Sequence, residues 1–281
     1  MQATQNVGAL YIVATPIGNL SDITFRMKEV LSTVNLIACE DTRHTRKLLS
    51  HLAISTSLTS YYREIEQQKS LYLIEKLLQG VDIALVSDAG TPGLSDPGAV
   101  LVQKARENDI PVIPIPGVSA LATALSISGL LQPDFYFGGF PPAKAGERRK
   151  FFTSLKSMPC PLFFYESPHR IHKTLTDCLT IFGDRQCQLF RELTKLHEHH
   201  LAGSLSELLK YTTKKVRGEL VLMIAGTKLQ HHDKPDNLDD LICWYRNQKT
   251  YSLKDSVKSI ASDLDLSRSQ VYQRALKLWK K

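Results

Sequence analysis

Apolar residues in the first half of the chain fall in short unbroken runs separated by stretches of helical period. Leu10–Thr15, Leu36–Cys39, Ile83–Val86 and Val112–Ile115 read as strands. Ile23–Val34, Thr42–Leu52, Ile65–Leu78, Val100–Glu107 and Ala120–Ile127 read as helices. Unbroken apolar strands alternating with amphipathic helices predict a mostly parallel sheet covered on both faces. After Gly129 the punctuation changes, with Pro133, Gly138, Gly139, Pro141 and Pro142 between Gln132 and Pro142. Strand patterns follow at Leu162–Tyr165, Gln188–Phe190 and Leu220–Ala225, with helical stretches between them. We therefore expect two α/β domains, residues 1–120 and 121–228. Lys228–Asp236 is polar and reads as a linker, and residues 236–281 are helical in pattern. Ser252 can cap a helix carrying Val257, Ile260 and Ala261, and Leu264-Asp265-Leu266 forms a turn. Ser267 can cap a second helix with Val271, Ala275 and Leu278 on one face. The pair fits a helix-turn-helix and, equally, a plain helical hairpin.

Composition narrows this picture. In 281 residues the hydrophobic fraction is 43%, enough for a true core, and no apolar run reaches the length of a membrane span. Met1–Gly8 has neither the basic nor the apolar region of a secretory signal, so we expect a cytoplasmic protein with no membrane partner. The five cysteines, at 39, 160, 178, 187 and 243, include no CxxC pair, which argues against a disulfide framework or a zinc knuckle. Lys and Arg number 35 against 28 acids, a formal charge of +7, and the excess is unevenly placed. Ser267–Lys281 holds Arg268, Arg274, Lys277, Lys280 and Lys281 without an acid, and Lys144, Arg148, Arg149 and Lys150 are opposed only by Glu147. Each cluster suits a polyanion and equally suits a solvated helix face.

Chemistry is concentrated in loops that follow strands. Thr15-Pro16-Ile17-Gly18-Asn19 forces a tight exit from the first strand. Ser87-Asp88-Ala89-Gly90-Thr91-Pro92-Gly93-Leu94-Ser95-Asp96-Pro97-Gly98 has three glycines, two prolines and two aspartates after a buried strand. Such a rigid loop suits a polar ligand such as an adenosyl amino acid. Its spacing matches neither a Walker loop nor GxGxxG, which argues against nucleoside triphosphate hydrolysis and an ordinary dinucleotide site. In Pro114-Ile115-Pro116-Gly117-Val118-Ser119-Ala120, Ser119 either caps a helix or meets a ligand. Tyr165-Glu166-Ser167-Pro168-His169-Arg170 and Arg191-Glu192-Leu193-Thr194-Lys195 gather charge at two further strand ends. His197, His199, His200, His231 and His232 lack partners at zinc spacing and read as solvated, so no metal is expected. No GxSxG elbow supports a hydrolase.

Together with Leu10-Tyr11-Ile12-Val13-Ala14 and Glu40-Asp41-Thr42-Arg43-His44-Thr45, these ordered loops resemble the ribosomal RNA small subunit methyltransferase I family. The resemblance runs from about Leu10 to the C-terminus. It implies the tetrapyrrole-methylase fold: two α/β domains plus a small C-terminal helical unit. It also implies a homodimer, S-adenosylmethionine as methyl donor, and the ribose 2′-hydroxyl of a cytidine in the 16S rRNA decoding region as acceptor. Donor-binding positions that go with it are Pro16, Gly18, Asp88, Gly90, Thr91, Gly93, Leu94, Ser119, Ala120, Tyr165 and Gly218. Where corrin-methylating relatives often show Gly-Asp-Pro, this chain has Gly90-Thr91-Pro92. That loses an acid, so backbone groups are expected to meet the donor.

A ribose hydroxyl is a poor nucleophile, and a nearby base or cation should assist it. Asp41, Glu166, Glu192 and Lys195 are the candidates; each is equally placed to serve as a strand-end ion pair. Arg43, Arg148, Arg149, Arg268, Arg274 and Lys277 are the candidates for RNA phosphates. Two rivals remain at this stage: a methylase of a small tetrapyrrole, and a nucleic-acid-binding regulator whose body senses a ligand. The basic helical tail argues against the first, since a small substrate needs no polyanion clamp.

Overall fold

The four unbroken apolar runs form four adjacent strands of one sheet. The computed structural model describes residues 7–213, 216–227, 237–248, 251–264 and 266–279. The first half runs β1 (Leu10–Val13), α1 (Phe25–Thr33), β2 (Leu36–Cys39), α2 (Thr42–His51), β3 (Leu58–Ser60), α3 (Glu66–Leu78), β4 (Ile83–Val86), α4 (Ala99–Glu107), β5 (Val112–Ile115) and α5 (Ala120–Ile127). Its sheet has the order β3-β2-β4-β1-β5 and is parallel throughout. Alternation along β4 shows why every residue of the run must be apolar. Ile83 and Leu85 pack with Leu73 and Leu77 of α3 and Leu101 and Ala105 of α4. Ala84 and Val86 pack on the opposite face with Met27 and Leu31 of α1 and Leu49 of α2.

The second half contributes β6 (Tyr136–Phe137), α6 (Ala145–Ser154), β7 (Leu162–Glu166), α7 (Ile171–Phe182), β8 (Gln186–Arg191), β9 (His199–Ser204), α8 (Leu205–Tyr211) and β10 (Leu220–Ile224). The order is β6-β7-β10-β8-β9. β6 runs parallel to β7, and the other three pairs are antiparallel. Leu162, Phe164, Leu220, Leu222 and Ile224 pack with Phe152 of α6, Leu175 of α7 and Leu208 of α8. Phe163, Phe190, Val221 and Met223 face the other way, onto Leu121 and Ala124 of α5 and onto Ile17. This last layer joins the two sheets and positions the site.

β3, β6 and β9 are strands that the sequence pattern does not announce. β9 begins with His199 and His200, expected to be solvated; both are exposed, yet the His200 ring stacks on Phe190 at 4.6 Å. The residues to Thr227 form one compact unit, and the C-terminal residues form another. The expected linker Lys228–Asp236, with His231 and His232, lies outside the described residues, as do Asp265, Lys280 and Lys281. Among the described residues the C-terminal unit has three helices, α9 (Leu238–Asn247), α10 (Leu253–Asp263) and α11 (Arg268–Trp279). Ser252 and Ser267 cap as expected, accepting from the N–H groups of Asp255 and Gln270. The expected stripes meet in one core, and α9 completes it with Leu241, Ile242 and Tyr245. None of the described helices is long and apolar enough to cross a membrane.

Candidate active site

Parallel strands deliver their following loops to one edge, which is where open α/β sheets hold ligands. The loops after β1, β4 and β5 meet there. Thr15 and Gly90 exchange both backbone hydrogen bonds, at 2.9 and 3.0 Å, and the Thr15 hydroxyl donates to the Ser87 carbonyl. From the second sheet come the ends of β7 and β8 and the start of β10, because Leu220 lies opposite both Glu166 and Arg191. A cavity of about 360 Å³ lies between these two groups of loops. Its first-sheet wall includes Ile17, Asp88, Gly90, Thr91, Leu94, Asp96 and Ala120, and its second-sheet wall includes Phe140, Tyr165, Phe190, Leu193, Glu219 and Val221. The size falls in the range of small-molecule sites, roughly 300–1,000 Å³.

Of the eleven donor positions expected from the sequence, Asp88, Gly90, Thr91, Leu94, Ala120 and Tyr165 line this cavity. Pro16, Gly18, Gly93, Ser119 and Gly218 do not. Ser119 takes its capping alternative, accepting from the Ala122 N–H at the start of α5. Gly93 donates to the Pro97 carbonyl inside its own loop. Gly18 and Gly218 have another occupant: a Cβ on Gly18 would stand 2.2 Å from Lys195 Cγ, and one on Gly218 would stand 2.3 Å from Glu192 Cδ. Both are seats for charged side chains. The expectation that backbone groups meet the ligand is also changed at Gly90, whose N–H and C=O are both taken by Thr15. Carboxylates fill the gap. Asp88 and Asp96 share the wall, and burial, followed by repulsion from Asp88, pushes the Asp96 carboxyl up to about 6.

The four catalytic candidates separate. Asp41 is the N-cap of α2, and hydrogen bonds from Arg43 hold its carboxyl well below the usual range. It touches the cavity wall indirectly, through its N–H to Asp88 Oδ1 at 3.1 Å. Glu166 borders the cavity, but its buried carboxylate accepts from the Ser167 N–H at 2.8 Å and the Thr174 hydroxyl at 2.5 Å and pairs with Arg170. With both oxygens hydrogen-bonded it holds the start of α7. Glu192 and Lys195 form one cluster with Glu219, which the sequence reading missed. Lys195 Nζ lies 2.8 Å from Glu192 Oε1 and 3.0 Å from Glu219 Oε2, and Glu192 Oε1 also accepts the Glu219 N–H. Partial burial works against the Lys195 charge, yet the two carboxylates raise its pKa above the ordinary lysine value, so it is a fixed cation. Glu192 and Thr194 take φ of 52° and 66°, a conformation that non-glycine residues adopt at a cost of about 1–3 kcal/mol each.

The expected phosphate ligands divide as well. Arg43 keeps 86% of its side chain exposed, and Arg149 keeps 65%. Arg148 is a correction: it is buried, pairs with Asp177 at 2.6 Å and donates to the Ala143 carbonyl, so it holds α6 on α7 and cannot reach a phosphate. In the C-terminal unit Arg268 and Lys277 are exposed, and Arg274 pairs with Asp239. Phe140, Phe190, Glu219 and Val221 were invisible as site residues in the sequence. Asp96 lay inside the loop that was singled out, and its burial distinguishes it only once folded.

Two packed sheets thus meet at their strand ends around a cavity of small-molecule size. Residues 9–209 match the family described as Tetrapyrrole (Corrin/Porphyrin) Methylases. A solved uroporphyrin-III C-methyltransferase from Thermus thermophilus, complexed with S-adenosylhomocysteine, superposes with a TM-score of 0.55 at 16% identity, covering 78% of this chain and 98% of that one. A Ribosomal RNA small subunit methyltransferase I of Streptococcus pyogenes serotype M3 is 42% identical, covering 95% of this chain and 94% of the relative. Its namesake from Synechocystis sp. is 44% identical, covering 97% and 99%. The chain belongs to the ribosomal RNA small subunit methyltransferase I family, within the tetrapyrrole methylases.

Proposed function

We propose that the protein methylates the 2′-hydroxyl of a cytidine ribose in the decoding region of 16S rRNA, within the small ribosomal subunit, using S-adenosylmethionine. The reading includes a cytoplasmic location and a homodimer. The observation that carries it is the cavity, whose chemistry fits the donor. Asp88 and Asp96 offer anionic acceptors to cationic and hydroxyl groups, and Ile17, Leu94 and Val221 offer apolar wall to a purine.

The donor, when bound, supplies a methyl group on a sulfonium, which leaves to an in-line nucleophile. The chain's part is alignment, exclusion of water and a preorganised field. Lys195, locked by Glu192 and by Glu219 on the cavity wall, holds a positive charge beside the site. There it stabilises the acceptor oxygen as the O–C bond forms and the S–C bond breaks, the sulfur leaving as the neutral thioether and the hydroxyl proton passing to bulk water. Arg43, Arg149, Arg268 and Lys277 supply phosphate contacts, which give affinity and salt sensitivity but little sequence information. Incubation with radiolabelled donor and, in parallel, small subunits, large subunits and a tetrapyrrole acceptor tests the reading. Label is expected in the small-subunit RNA alone; label in the tetrapyrrole, or in neither RNA, overturns it.

A further inference from the structure

Three aromatic side chains stand on the cavity wall: Phe140, Tyr165 and Phe190. Two are fully engaged. Phe190 is buried and carries the His200 ring stacked on it at 4.6 Å, with the planes 5° apart. Tyr165 meets Phe137 edge-on at 4.9 Å and Phe140 at 5.5 Å, and its hydroxyl accepts the Leu121 N–H. Phe140 differs. It touches Tyr165 at an edge, yet 52% of its surface is open to solvent. It is also held in place. The carbonyl of the next residue, Pro141, accepts a hydrogen bond from Arg170, whose guanidinium is paired with Glu166. Pro141 and Pro142 further restrict the backbone that carries it. A large, flat, apolar surface is thus fixed and left open on the wall of the cavity proposed for the donor.

On the function proposed above, the acceptor is a ribose that must bring its hydroxyl to about 3–3.5 Å from the methyl carbon. With the donor in the cavity, the acceptor nucleotide lies at its mouth, where Phe140 is open to solvent. A ribose inside a helix arrives with its base stacked between neighbours, and those neighbours would enter with it. Swinging the nucleotide out removes that obstruction but leaves the base without a stacking partner, and an aromatic side chain replaces the lost stacking. We propose that Phe140 is the platform on which the nucleobase of the methylated nucleotide stacks, so that the acceptor enters swung out of its helix. This inference rests on the RNA-methylating reading. Phe140 acts as a positioning residue: it holds the base, and through the base the ribose, while the transfer chemistry proceeds elsewhere on the wall.

The test compares Phe140→Leu and Phe140→Ala with Phe140→Tyr and Phe140→Trp in the full-length protein. Methyl transfer is measured over a range of small-subunit concentrations, and donor affinity by calorimetry. Stacking of a base on an aromatic side chain contributes about 1–3 kcal/mol, a factor of roughly 5 to 150. Leu and Ala should therefore raise KM for the RNA at least about fivefold, Tyr and Trp should keep it within about twofold, and the rise in KM for the RNA should exceed any loss of donor affinity in Leu and Ala. A melting curve confirms that each variant is folded. Trp emission supplies a second readout, since added fluorescence in Phe140→Trp should be quenched by substrate RNA. Leu behaving like Phe in transfer, or donor affinity falling in step with it, overturns the inference. If wild-type protein methylates RNA and Leu changes nothing, the inference alone fails; if wild-type protein labels no RNA, the functional reading fails and the inference with it.

Discussion

Replacing Gly218 by alanine should slow methyl transfer about 100-fold without weakening donor binding. The new Cβ would lie 2.3 Å from Glu192 Cδ and 2.5 Å from its Oε1. Carbon atoms in contact need about 3.5–4.0 Å, so the carboxyl must retreat by about 1 Å. That movement breaks two hydrogen bonds at Oε1, from Lys195 Nζ at 2.8 Å and from the Glu219 N–H at 2.9 Å. Lys195 then loses one of the two anchors that fix its ammonium. A misplacement of about 1 Å in groups that align a reaction can cost about 100-fold in rate. Gly218 also sits at φ +90°, so alanine adds backbone strain of about 1–2 kcal/mol and the melting temperature should fall modestly. Gly18→Ala should act more mildly, about 10-fold, because the aliphatic part of Lys195 that it strikes, 2.2 Å away at Cγ, can swing aside. Donor affinity should hold within about twofold in both, since neither glycine lines the cavity. The assay is single-turnover transfer to small subunits, with calorimetry for the donor. The decisive comparison is the double variant Lys195→Ala with Gly18→Ala. If the glycine acts only by seating Lys195, the double variant should be no slower than Lys195→Ala alone. Multiplicative losses, or a full rate in Gly218→Ala, would show that the glycines do something other than position this cluster.

Donor affinity should rise with pH between about 5 and 7. The Asp96 carboxyl, raised by burial to about 6, is protonated below that pH and offers an anion to a cationic ligand above it, and Asp96→Asn should flatten the calorimetric pH profile. An unchanged profile in the variant would remove Asp96 from donor recognition. Arg148→Ala should lower stability by about 1–3 kcal/mol in urea denaturation, because the buried Asp177 carboxylate loses its hydrogen-bonded partner at Oδ2 and keeps only Arg149 at Oδ1. RNA affinity of the folded variant should stay the same; weaker binding with unchanged stability would restore Arg148 as a phosphate ligand. Exchanging both Arg268 and Lys277 for alanine should weaken small-subunit binding and reduce the slope of log affinity against log salt by about 2. Identical slopes would make the C-terminal helices a packing element.

The central strands of the first sheet were legible because a parallel sheet buried on both faces demands unbroken apolar runs. β2 and β4 fall at the expected residues for that reason, and the edge strand β5 also does, with Val112 and Ile113 half-buried and Pro114 exposed. β9 was not legible: an edge strand is half exposed, and His-His-Leu-Ala-Gly-Ser carries no apolar alternation. β3 and β6, with three and two residues, are too short to show a period. The Ser87–Gly98 loop was readable as a ligand loop from its glycine and proline density. The opposite wall was not, since Phe190 and Val221 alternate along their strands just as core residues do. Gly18 and Gly218 illustrate a further limit. A glycine in a sequence signals that a side chain will not fit, and only the folded chain reveals that Lys195 and Glu192 occupy the space.

The most direct measurement is mass spectrometry of nucleosides from small subunits lacking this modification, after treatment with the protein and S-adenosylmethionine. One new species is expected, 2′-O-methylcytidine, mapping to a single decoding-region fragment and absent when the Lys195→Ala variant replaces the wild type at equal time. A base-methylated nucleoside, or a methylated ribose on another nucleotide, would contradict the account.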